Sequence, residues 1–544
     1  MKKPNIRSAI RKISKLLWLE KQDIINIYVY SIFAGLVSLS LPLGIQTIIG
    51  FVQAGSISTS IVVLIAFVLF GTFGNGFLQV RQLELIEKIE QKLFLRYSVD
   101  YAERLPKLNI QKLDHYYLPE LVNRFLDLPG LQKSLHKLLV DLPAALIQIF
   151  FGILLLSFYH PFFIAFGFFL IVILGLIINS TSGKGFSTSI ETSDYKYKLA
   201  SWFEEMARGI KTFKYSHHTK LHLSKTDTIL DGYFHARSSH FKVLRLQYWI
   251  LILFKTLIVA SMLIIGVDLL LEQQINIGQF VAADIVIIVI LTSVEKLISS
   301  LENIYESLTS VEKLDKVLKA EIEESGKGLL ENGDSPMSIK FDKVQFSYEH
   351  NKDLLKDLSF DINPGEWALI KGGFGKGKST ILRLLAGTVK AQSGEIIINQ
   401  NPIGSYQIGS LRKQMGVLAG SQEIFEGTLM ENLTLNDPDI PINTLQTLVN
   451  LTGLSEYVQK HEKGLYAEMM SFGLQLSSKT KQQVLLCRAL LTAKSLLILE
   501  EPFRYVDEDR LTEIINYIKS QKLTVVMTTN SNQYDQYFDQ IIEL

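Results

Sequence analysis

The most informative stretch of this 544-residue chain is Gly372-Gly373-Phe374-Gly375-Lys376-Gly377-Lys378-Ser379-Thr380. It has the spacing G-x-x-x-x-G-K-S, in which glycines let backbone N–H groups close around phosphate oxygens. Residues 367–370 precede it and predict a strand, and residues 378–388 predict a helix that begins at the loop. Strand, loop and helix in this order are typical of an α/β domain that binds a nucleotide at a helix N-terminus.

Two side chains of this loop have separate expected tasks. Lys378 is expected to bring its positive charge to the β- and γ-phosphates, and Ser379 is expected to offer its hydroxyl to Mg²⁺. All of residues 372–380 are therefore predicted to bind the nucleotide, with Ser379 also a metal ligand.

An acidic pair follows an apolar run later in the chain. Residues 496–499 read Leu-Leu-Ile-Leu and predict a buried strand, after which come Glu500, Glu501 and Pro502. Two adjacent carboxylates suit phosphoryl transfer, because one can bind Mg²⁺ while the other orients or deprotonates water. We predict Glu500 as the metal ligand and Glu501 as the catalytic base; the ordinary acidic start of a loop is the alternative.

The first part of the chain is much more apolar than the last. Hydrophobic residues make up 48% of the chain and charged residues 20%, and six runs reach the roughly 20 residues that a helix needs to cross a bilayer. The six runs are 24–52, 61–80, 138–159, 161–179, 248–271 and 279–299. They predict an α-helical polytopic membrane domain and exclude a soluble phosphate-loop enzyme.

Charge and cysteine content exclude other classes. The 55 basic and 54 acidic residues give a net charge of +1, which argues against a protein whose main partner is nucleic acid. The single cysteine, Cys487, rules out an intramolecular disulfide.

The placement of basic residues predicts the orientation in the membrane. Seven lysines and arginines precede the first span, whereas the connector 53–60 carries none. Because such residues stay on the cytoplasmic side of short loops, both termini are predicted to be cytoplasmic, in a multi-pass protein of the cell (inner) membrane. The first 23 residues predict an interfacial helix on the membrane lipid, with a solvated basic tail as the alternative. Its apolar stripe is Ile6, Ile10, Ile13 and Leu17.

A change of composition marks the domain boundary. Residues 321–336 are polar and contain Gly326, Gly328, Gly333 and Pro336, which end the helical pattern. We predict an interfacial helix at 1–23, a transmembrane domain at 24–310, a linker at 311–337 and an α/β nucleotide-binding domain at 338–544.

Six spans with long inner extensions, followed by one nucleotide-binding domain, resemble the half-transporters of the ABC exporter family, especially the bacterial peptide and toxin exporters of type I secretion. The resemblance covers nearly the whole chain. It implies that the chain pairs with a second half-transporter, as a homodimer or a heterodimer. It also implies that ATP is held between the two nucleotide-binding domains and that their closure drives alternating access.

Several positions match motifs of that family. Tyr348 matches the aromatic residue that stacks on adenine, with a strand core residue as the alternative. Asp507 matches the acid of the loop after the catalytic carboxylate. Leu476 and Ser477 match the start of the signature motif, and Cys487 is expected to be packed inside its helix. The segment after the family's glutamine loop is matched by Phe425, Gly427, Thr428, Glu431 and Asn432.

Other positions depart from the family. Gly420 stands at the glutamine position, with Gln422 the nearest glutamine, and the metal-site aspartate is Glu500. The signature Leu-Ser-Gly-Gly-Gln and the switch histidine are altered at Ser478, Lys479, Thr480 and Asn530. Since each site combines the phosphate loop of one chain with the signature of another, the resemblance implies that no pairing restores an unimpaired site.

These departures predict ATP binding with slow or negligible hydrolysis. Lys479 is expected either to face the γ-phosphate of a partner or to be a solvated lysine. The predicted function is that of an ATP-binding permease subunit for export, with weak or absent ATP hydrolysis by itself. A non-transporting regulatory or assembly subunit of an export system, and an ordinary homodimeric export ATPase, stay open as alternatives.

Overall fold

The computed structural model describes residues 6–55, 59–113, 118–216, 219–330, 335–348 and 354–544. They form two compact units. As far as it is described, the first comprises the chain up to Pro106 and His115–Ala320, and the second comprises Lys107–Asp114 and Glu321–Leu544. Two of the basic residues used to predict the orientation, Lys2 and Lys3, lie outside the described residues.

The first unit is built from helices. They are α1 (Ile6–Trp18), α2 (Lys21–Ser38), α3 (Ser40–Gln53), α4 (Thr59–Arg104), α6 (Leu118–Asn123), α7 (Leu128–His136), α8 (Leu142–Ser157), α9 (Phe162–Arg208), α10 (Ile210–Tyr215), α11 (Leu221–Leu271) and α12 (Ile277–Leu318), while α5 (Ile110–Leu113) belongs to the second unit. A short turn of 3₁₀-helix, Arg124–Asp127, precedes α7.

Six helical stretches of the described chain are long and apolar enough to cross a membrane, which confirms the six predicted spans. They are Lys21–Gln53, Thr59–Lys107, Leu118–Ser157, Phe162–Arg208, Leu221–Leu271 and Ile277–Leu318. Four of them, in α4, α9, α11 and α12, run well beyond the apolar runs, so the spans continue as the predicted helical extensions. The chain is a multi-pass membrane protein.

The first span is two helices rather than one. It is interrupted at Leu39, between α2 and α3, three residues before Pro42. The neighbouring α4 approaches closely here, because a Cβ on Gly71 would lie 2.2 Å from the hydroxyl of Ser40. Small residues permit such close contact between membrane helices.

The N-terminal helix α1 packs on the first unit through one face. Ala9 and Ile13 are buried, whereas Ile10 and Trp18 are exposed. Lys12 binds Glu312 at 2.5 Å and Asp315 at 3.0 Å, both on α12. Burial opposes the charge of Lys12, but its two carboxylate partners outweigh that effect and raise its pKa. These two contacts hold α1 against the C-terminal part of α12.

Among the described residues, the second unit combines three sheets, of five, four and two strands, with flanking helices. The strands are β1 (Ile339–Phe346), β2 (Leu355–Ile362), β3 (Trp367–Lys371), β4 (Ser393–Ile398), β5 (Asn401–Pro402), β6 (Met415–Leu418), β7 (Gly427–Thr428), β8 (Glu468–Met469), β9 (Leu496–Glu500), β10 (Thr524–Thr528) and β11 (Gln540–Glu543). The helices are α13 (Lys378–Leu385), α14 (Ile408–Arg412), α15 (Leu429–Thr434), α16 (Ile442–Leu451), α17 (Ser455–Lys460), α18 (Ser478–Thr492) and α19 (Glu508–Ser520).

The five-stranded sheet is parallel with the order β11-β3-β10-β9-β6, and the four-stranded sheet is antiparallel with the order β2-β1-β4-β5. The third sheet is the antiparallel pair β7-β8. The strands β3, β9 and β10 are almost wholly buried, which matches their continuous apolar sequences. In the register of the parallel sheet, Thr528 of β10 lies beside Ile370 of β3 and Glu500 of β9. The carboxyl ends of these three strands therefore meet at one edge.

The second unit also contains a segment from between the second and third spans. Asn109 N–H donates to Glu321 O at 2.9 Å, and Glu323 N–H donates to Lys107 O at 2.8 Å. Between these bonds Leu108 is 3% exposed. The segment thus pairs with the start of the linker. The predicted linker of residues 311–337 begins within α12, which is helical as far as Leu318.

Candidate functional site

The phosphate loop lies between β3 and α13, as the sequence predicts. Gly375 and Gly377 have φ values of 77° and 96°, which side chains other than glycine rarely adopt. Gly377 caps α13 in the left-handed conformation. The loop can therefore turn its backbone N–H groups toward a bound anion at the start of the helix.

Lys378 is folded onto its own loop. Its Nζ donates to Gly372 O at 2.6 Å and to Gly373 O at 3.1 Å. These two carbonyl oxygens hold the ammonium of Lys378 at the phosphate loop. Its positive charge therefore lies where the phosphates of a nucleotide are expected.

A cavity of about 400 Å³ opens over this loop. Residues 374–380 line it, so the predicted contacts from Phe374 to Thr380 share one site with Tyr348, Glu500 and Glu501. The predicted contacts Gly372 and Gly373 lie behind the lining and contribute the carbonyls that hold Lys378. Phe374 is 94% exposed at the tip of the loop.

Glu500 is oriented by two donors. Ser379 Oγ donates to its Oε1, and Gly420 N–H donates to its Oε2 at 2.6 Å. A hydroxyl and a carboxylate side by side are hard oxygen ligands of the kind that Mg²⁺ binds together with phosphate oxygens. Among the described residues no group of three or more His, Cys, Asp or Glu could hold a metal ion, but a site completed by phosphate needs no such group. The residues present fit Mg²⁺.

Glu501 is held by the neighbouring strand. Thr529 Oγ1 donates to one carboxylate oxygen at 2.8 Å, and Asn530 N–H donates to the other at 3.0 Å. Its backbone N–H donates to Thr528 O at 2.9 Å, and its φ is 44°. Both ends of the residue are thus fixed to the carboxyl end of β10.

Tyr348 lies at the side of the cavity, half-buried. Its hydroxyl accepts from Arg383 Nη1 at 3.2 Å and lies 3.4 Å from Thr380 Oγ1. Its ring meets Phe346 edge-on, with centroids 4.8 Å apart. The ring is therefore oriented by neighbours on β1 and α13, and it lines the cavity while also packing against the core beneath it.

The altered signature segment begins α18. Ser477 caps this helix by accepting from Thr480 N–H at 3.0 Å. Lys479 Nζ lies 3.3 Å from Asp507 Oδ2 of the same chain, and both side chains are partly exposed. The ammonium of Lys479 therefore has an acidic partner within its own chain.

The interior of α18 is packed as expected. Cys487 is completely buried, and burial raises the pKa of its thiol to about 12. Arg488 donates to Asn432 O at 2.6 Å, and Asn432 binds the backbone oxygens of Phe425 and Thr428. These bonds join α18 to α15 and to the segment before it.

Sequence reasoning missed three contributors to the site. Thr529 and the N–H of Gly420 hold the acidic pair, and Thr528 lines the cavity. The run Thr528-Thr529-Asn530 lies at the carboxyl end of β10, which is parallel to β3 and β9. The contribution of this run could be predicted only from the order of these strands in the sheet. Gln422 is the glutamine nearest to Gly420, the position at which the family has its glutamine. Its side-chain oxygen accepts from Ala419 N–H at 3.3 Å.

Both parts of the chain match known protein families. The family described as ABC transporter transmembrane region matches residues 24–294. The family described as ABC transporter matches residues 355–504, which contain the phosphate loop and both acidic residues.

The chain is also similar to curated proteins. A Rickettsia felis protein, whose name describes it as an export ATP-binding/permease protein, is 26% identical over 336 residues, covering 61% of this chain and 58% of that protein. The mitochondrial iron-sulfur clusters transporter ATM1 of Kluyveromyces lactis is 26% identical over 272 residues, covering 50% of this chain and 38% of that one. The Escherichia coli glutathione/L-cysteine transport system ATP-binding/permease protein CydC is 32% identical over 210 residues, covering 38% and 36%. The matched region thus spans less than three fifths of the length of these relatives.

Among solved structures, a bacterial Atm1-family ABC exporter with ATP bound has a similar fold. Its TM-score is 0.84 at 17% sequence identity, and the match covers 96% of this chain and 93% of that one. At this identity the likeness concerns the fold alone.

Proposed function

Because this chain belongs to the ABC transporters, as a half-transporter with a permease domain fused to an ATP-binding domain, we propose that it binds ATP with Mg²⁺ and serves export across the cell (inner) membrane. In this proposal both termini are cytoplasmic. The chain acts in a dimer with a second half-transporter.

One observation carries the proposal. The phosphate loop and the acidic pair line a single cavity of about 400 Å³, in a chain that also supplies six membrane-spanning helices. Nucleotide binding and a membrane path are thus combined in one polypeptide.

Each group of the cavity has a role in this proposal. The N–H groups of residues 374–380 and the ammonium of Lys378 bind the phosphates, and the carbonyls of Gly372 and Gly373 hold that ammonium. Ser379 and Glu500 would hold Mg²⁺, which would neutralise charge on the phosphates. Tyr348 stacks on the adenine, and Glu501 orients or deprotonates the attacking water.

Hydrolysis is proposed to be slow. Asn530 replaces a switch histidine, and its backbone N–H is used to hold Glu501. The side chain of Gln422 is hydrogen bonded to Ala419 N–H, and Lys479 forms an ion pair with Asp507 of its own chain. Removing one donor that stabilises a transition state typically lowers the rate about 10²–10³-fold, so several departures together leave ATP binding with little turnover.

The test compares ATP binding with ATP turnover in the purified full-length protein. We expect saturable binding of ATP with Mg²⁺ and low turnover in the wild type. A repaired variant that carries Gly420→Gln, Ser478→Gly, Lys479→Gly, Thr480→Gln and Asn530→His should hydrolyse ATP at least about 10²-fold faster. Adding Glu501→Gln to the repaired variant should remove the gain.

Other outcomes would favour the alternative functions. Fast turnover by the wild type alone would indicate an ordinary homodimeric export ATPase. Absence of ATP binding would contradict the proposal. Binding without transport in any pairing would favour a regulatory or assembly subunit of an export system.

A further inference from the structure

The N-terminal helix α1 has one face that is turned away from the rest of the protein. Its buried residues, Ala9 and Ile13, lie toward the helical unit. Four exposed residues at intervals of three or four lie on the opposite face, which we call the basic face: Arg7, Arg11, Lys15 and Trp18. The outer side of α1 is therefore strongly basic.

No acidic side chain of α1 opposes this charge, because the helix contains four basic residues and no acidic one. The fourth basic residue, Lys12, is used inside the protein, where it pairs with Glu312 and Asp315 of α12. In the part of the chain that the structure describes, Arg11 and Lys15 have no ion-pair partner. Their charges are therefore available to an anion outside the chain.

The two acids that follow α1 are neutralised within the protein. The carboxylate of Glu20 lies 2.7 Å from Lys92 Nζ and 3.0 Å from Arg96 Nη2. The carboxylate of Asp23 lies 3.1 Å from Lys88 Nζ and 3.0 Å from Lys92 Nζ. Both acidic side chains are largely buried, at 8% and 13% exposure, so they do not cancel the positive charge of the basic face.

The bilayer begins close to this surface. The first membrane-spanning stretch starts at Lys21, three residues after α1 ends at Trp18. The side chain of Trp18 is 71% exposed, and Lys21 Nζ lies 5.7 Å from its ring centroid. Exposed tryptophan and lysine side chains at the end of a span are typical of the membrane–water interface. The basic face is therefore expected at the level of the lipid headgroups.

We propose that the basic face binds anionic phospholipids, with Arg11 and Lys15 on the headgroup phosphates and Trp18 between the headgroups and the acyl chains. A zwitterionic headgroup carries a cation of its own, which this surface repels, whereas an anionic headgroup is attracted by each basic residue. The opposite side of α1 is tied to α12 through Lys12, so the bound lipid is linked to the last helix of the unit. The site needs neither nucleotide nor a transported substrate and is independent of the proposed function.

The test uses Trp18 as a reporter of the lipid beside it. The chain has four tryptophans, and Trp202→Phe, Trp249→Phe and Trp367→Phe together leave only Trp18. This full-length variant is reconstituted in phosphatidylcholine vesicles that contain brominated phosphatidylglycerol or brominated phosphatidylcholine, because bromine quenches the fluorescence of a neighbouring tryptophan. Quenching as a function of the mole fraction of brominated lipid gives the relative affinity for the two headgroups.

We expect brominated phosphatidylglycerol to bind beside Trp18 at least about fivefold more tightly than brominated phosphatidylcholine, because each basic residue near an anionic surface contributes roughly that factor. A concentration of about 1 M NaCl should remove most of this preference, since exposed charges are then strongly screened. Equal quenching by the two lipids at low salt would overturn the proposal and leave the basic face solvated.

Two lysines of α1 form a matched pair of variants. Lys15→Gln removes a charge from the basic face and should lower the preference at least about threefold. Lys12→Gln removes the same charge from the side that faces α12, where the side chain is 20% exposed, and should leave the preference nearly unchanged. Equal losses in the two variants would reject the assignment to the basic face.

A remote lysine controls for net charge. Lys214 is an exposed residue of α10, which follows α9. Because α9 continues to Arg208 from a predicted span that ends at residue 179, its inner extension is roughly 40 Å long, and Lys214→Gln should keep the full preference. If Lys214→Gln lowered the preference as much as Lys15→Gln, the effect would be one of overall charge, and the proposal would be rejected.

A second measurement avoids the three tryptophan substitutions. The difference in quenching between the wild type and Trp18→Phe, in the same vesicles, isolates the signal of Trp18. This difference should be larger with brominated phosphatidylglycerol than with brominated phosphatidylcholine. The same difference with both lipids would contradict the proposal even if the triple variant did not fold.

Discussion

Single residues at the edge of the parallel sheet are oriented by hydrogen-bond donors of the chain itself. Glu500 is held by Ser379 and by the backbone of Gly420, and Glu501 is held by Thr529 and Asn530. Each carboxylate therefore has its own pair of donors. Preorganised groups of this kind need little rearrangement when a substrate binds.

The ammonium of Lys378 allows a direct test of nucleotide binding. Lys378→Ala should weaken ATP binding at least about tenfold, because a charged donor to phosphate is removed. The control is Lys413→Ala, which removes an exposed lysine at the end of α14. Fluorescence titration with a labelled ATP measures both, and similar affinities for the two variants would contradict the assignment.

Cys487 gives a second prediction at this scale. Because burial raises its pKa to about 12, the thiol stays protonated in the folded protein from pH 7 to 9. N-ethylmaleimide should therefore not react with the native protein at pH 8, but should react after denaturation. Ser478→Cys, an exposed position on the same helix, should be labelled in the native state, and labelling should be read by mass spectrometry.

The raised pKa of Cys487 also sets the sign of its pH effect. In the unfolded chain the thiol ionises near its ordinary pKa of 9.0, whereas in the fold it stays neutral. Its contribution to stability is therefore fully present below pH 9 and is lost as the pH rises toward 12.

At the scale of elements, the close contact between α3 and α4 depends on a glycine of each helix, Gly44 and Gly71. Gly71→Ala should destabilise the helical unit by about 1–3 kcal/mol, because the added Cβ would overlap Ser40. Gly76→Ala on the same helix is the control, since its Cβ would meet nothing within 4 Å. Thermal unfolding in detergent compares the two, and equal midpoints would show that the contact is not tight.

Elements with strong local signals could be predicted from the sequence. The phosphate loop, the acidic pair and the six spans were found because each depends on residues adjacent in the chain. Thr529, the pairing of Lys479 with Asp507 and the interruption at Leu39 were not, because each depends on which elements become neighbours.

For the whole molecule, the main prediction concerns pairing. In a mixed dimer of wild-type and repaired copies, each composite site combines one altered half with one repaired half. We expect ATP turnover to rise from the wild-type pair to the mixed pair to the repaired pair, with steps of at least about tenfold. Two affinity tags isolate the mixed dimer, and light scattering measures the number of chains.

A different order would be informative. If the mixed pair were no faster than the wild-type pair, the altered residues of one chain would suffice to stop both sites. If light scattering gave a single chain for every sample, the proposed dimer would be wrong.

The pairing of Lys107–Asn109 with Glu321–Glu323 has a consequence for biosynthesis. The ATP-binding unit is discontinuous in sequence, and its first part leaves the ribosome long before its second. The segment around Leu108 therefore has no partner until the last four spans and the linker have been made. A chain whose synthesis stops before the linker therefore leaves the apolar side chain of Leu108 uncovered, a feature typical of aggregation-prone folding intermediates.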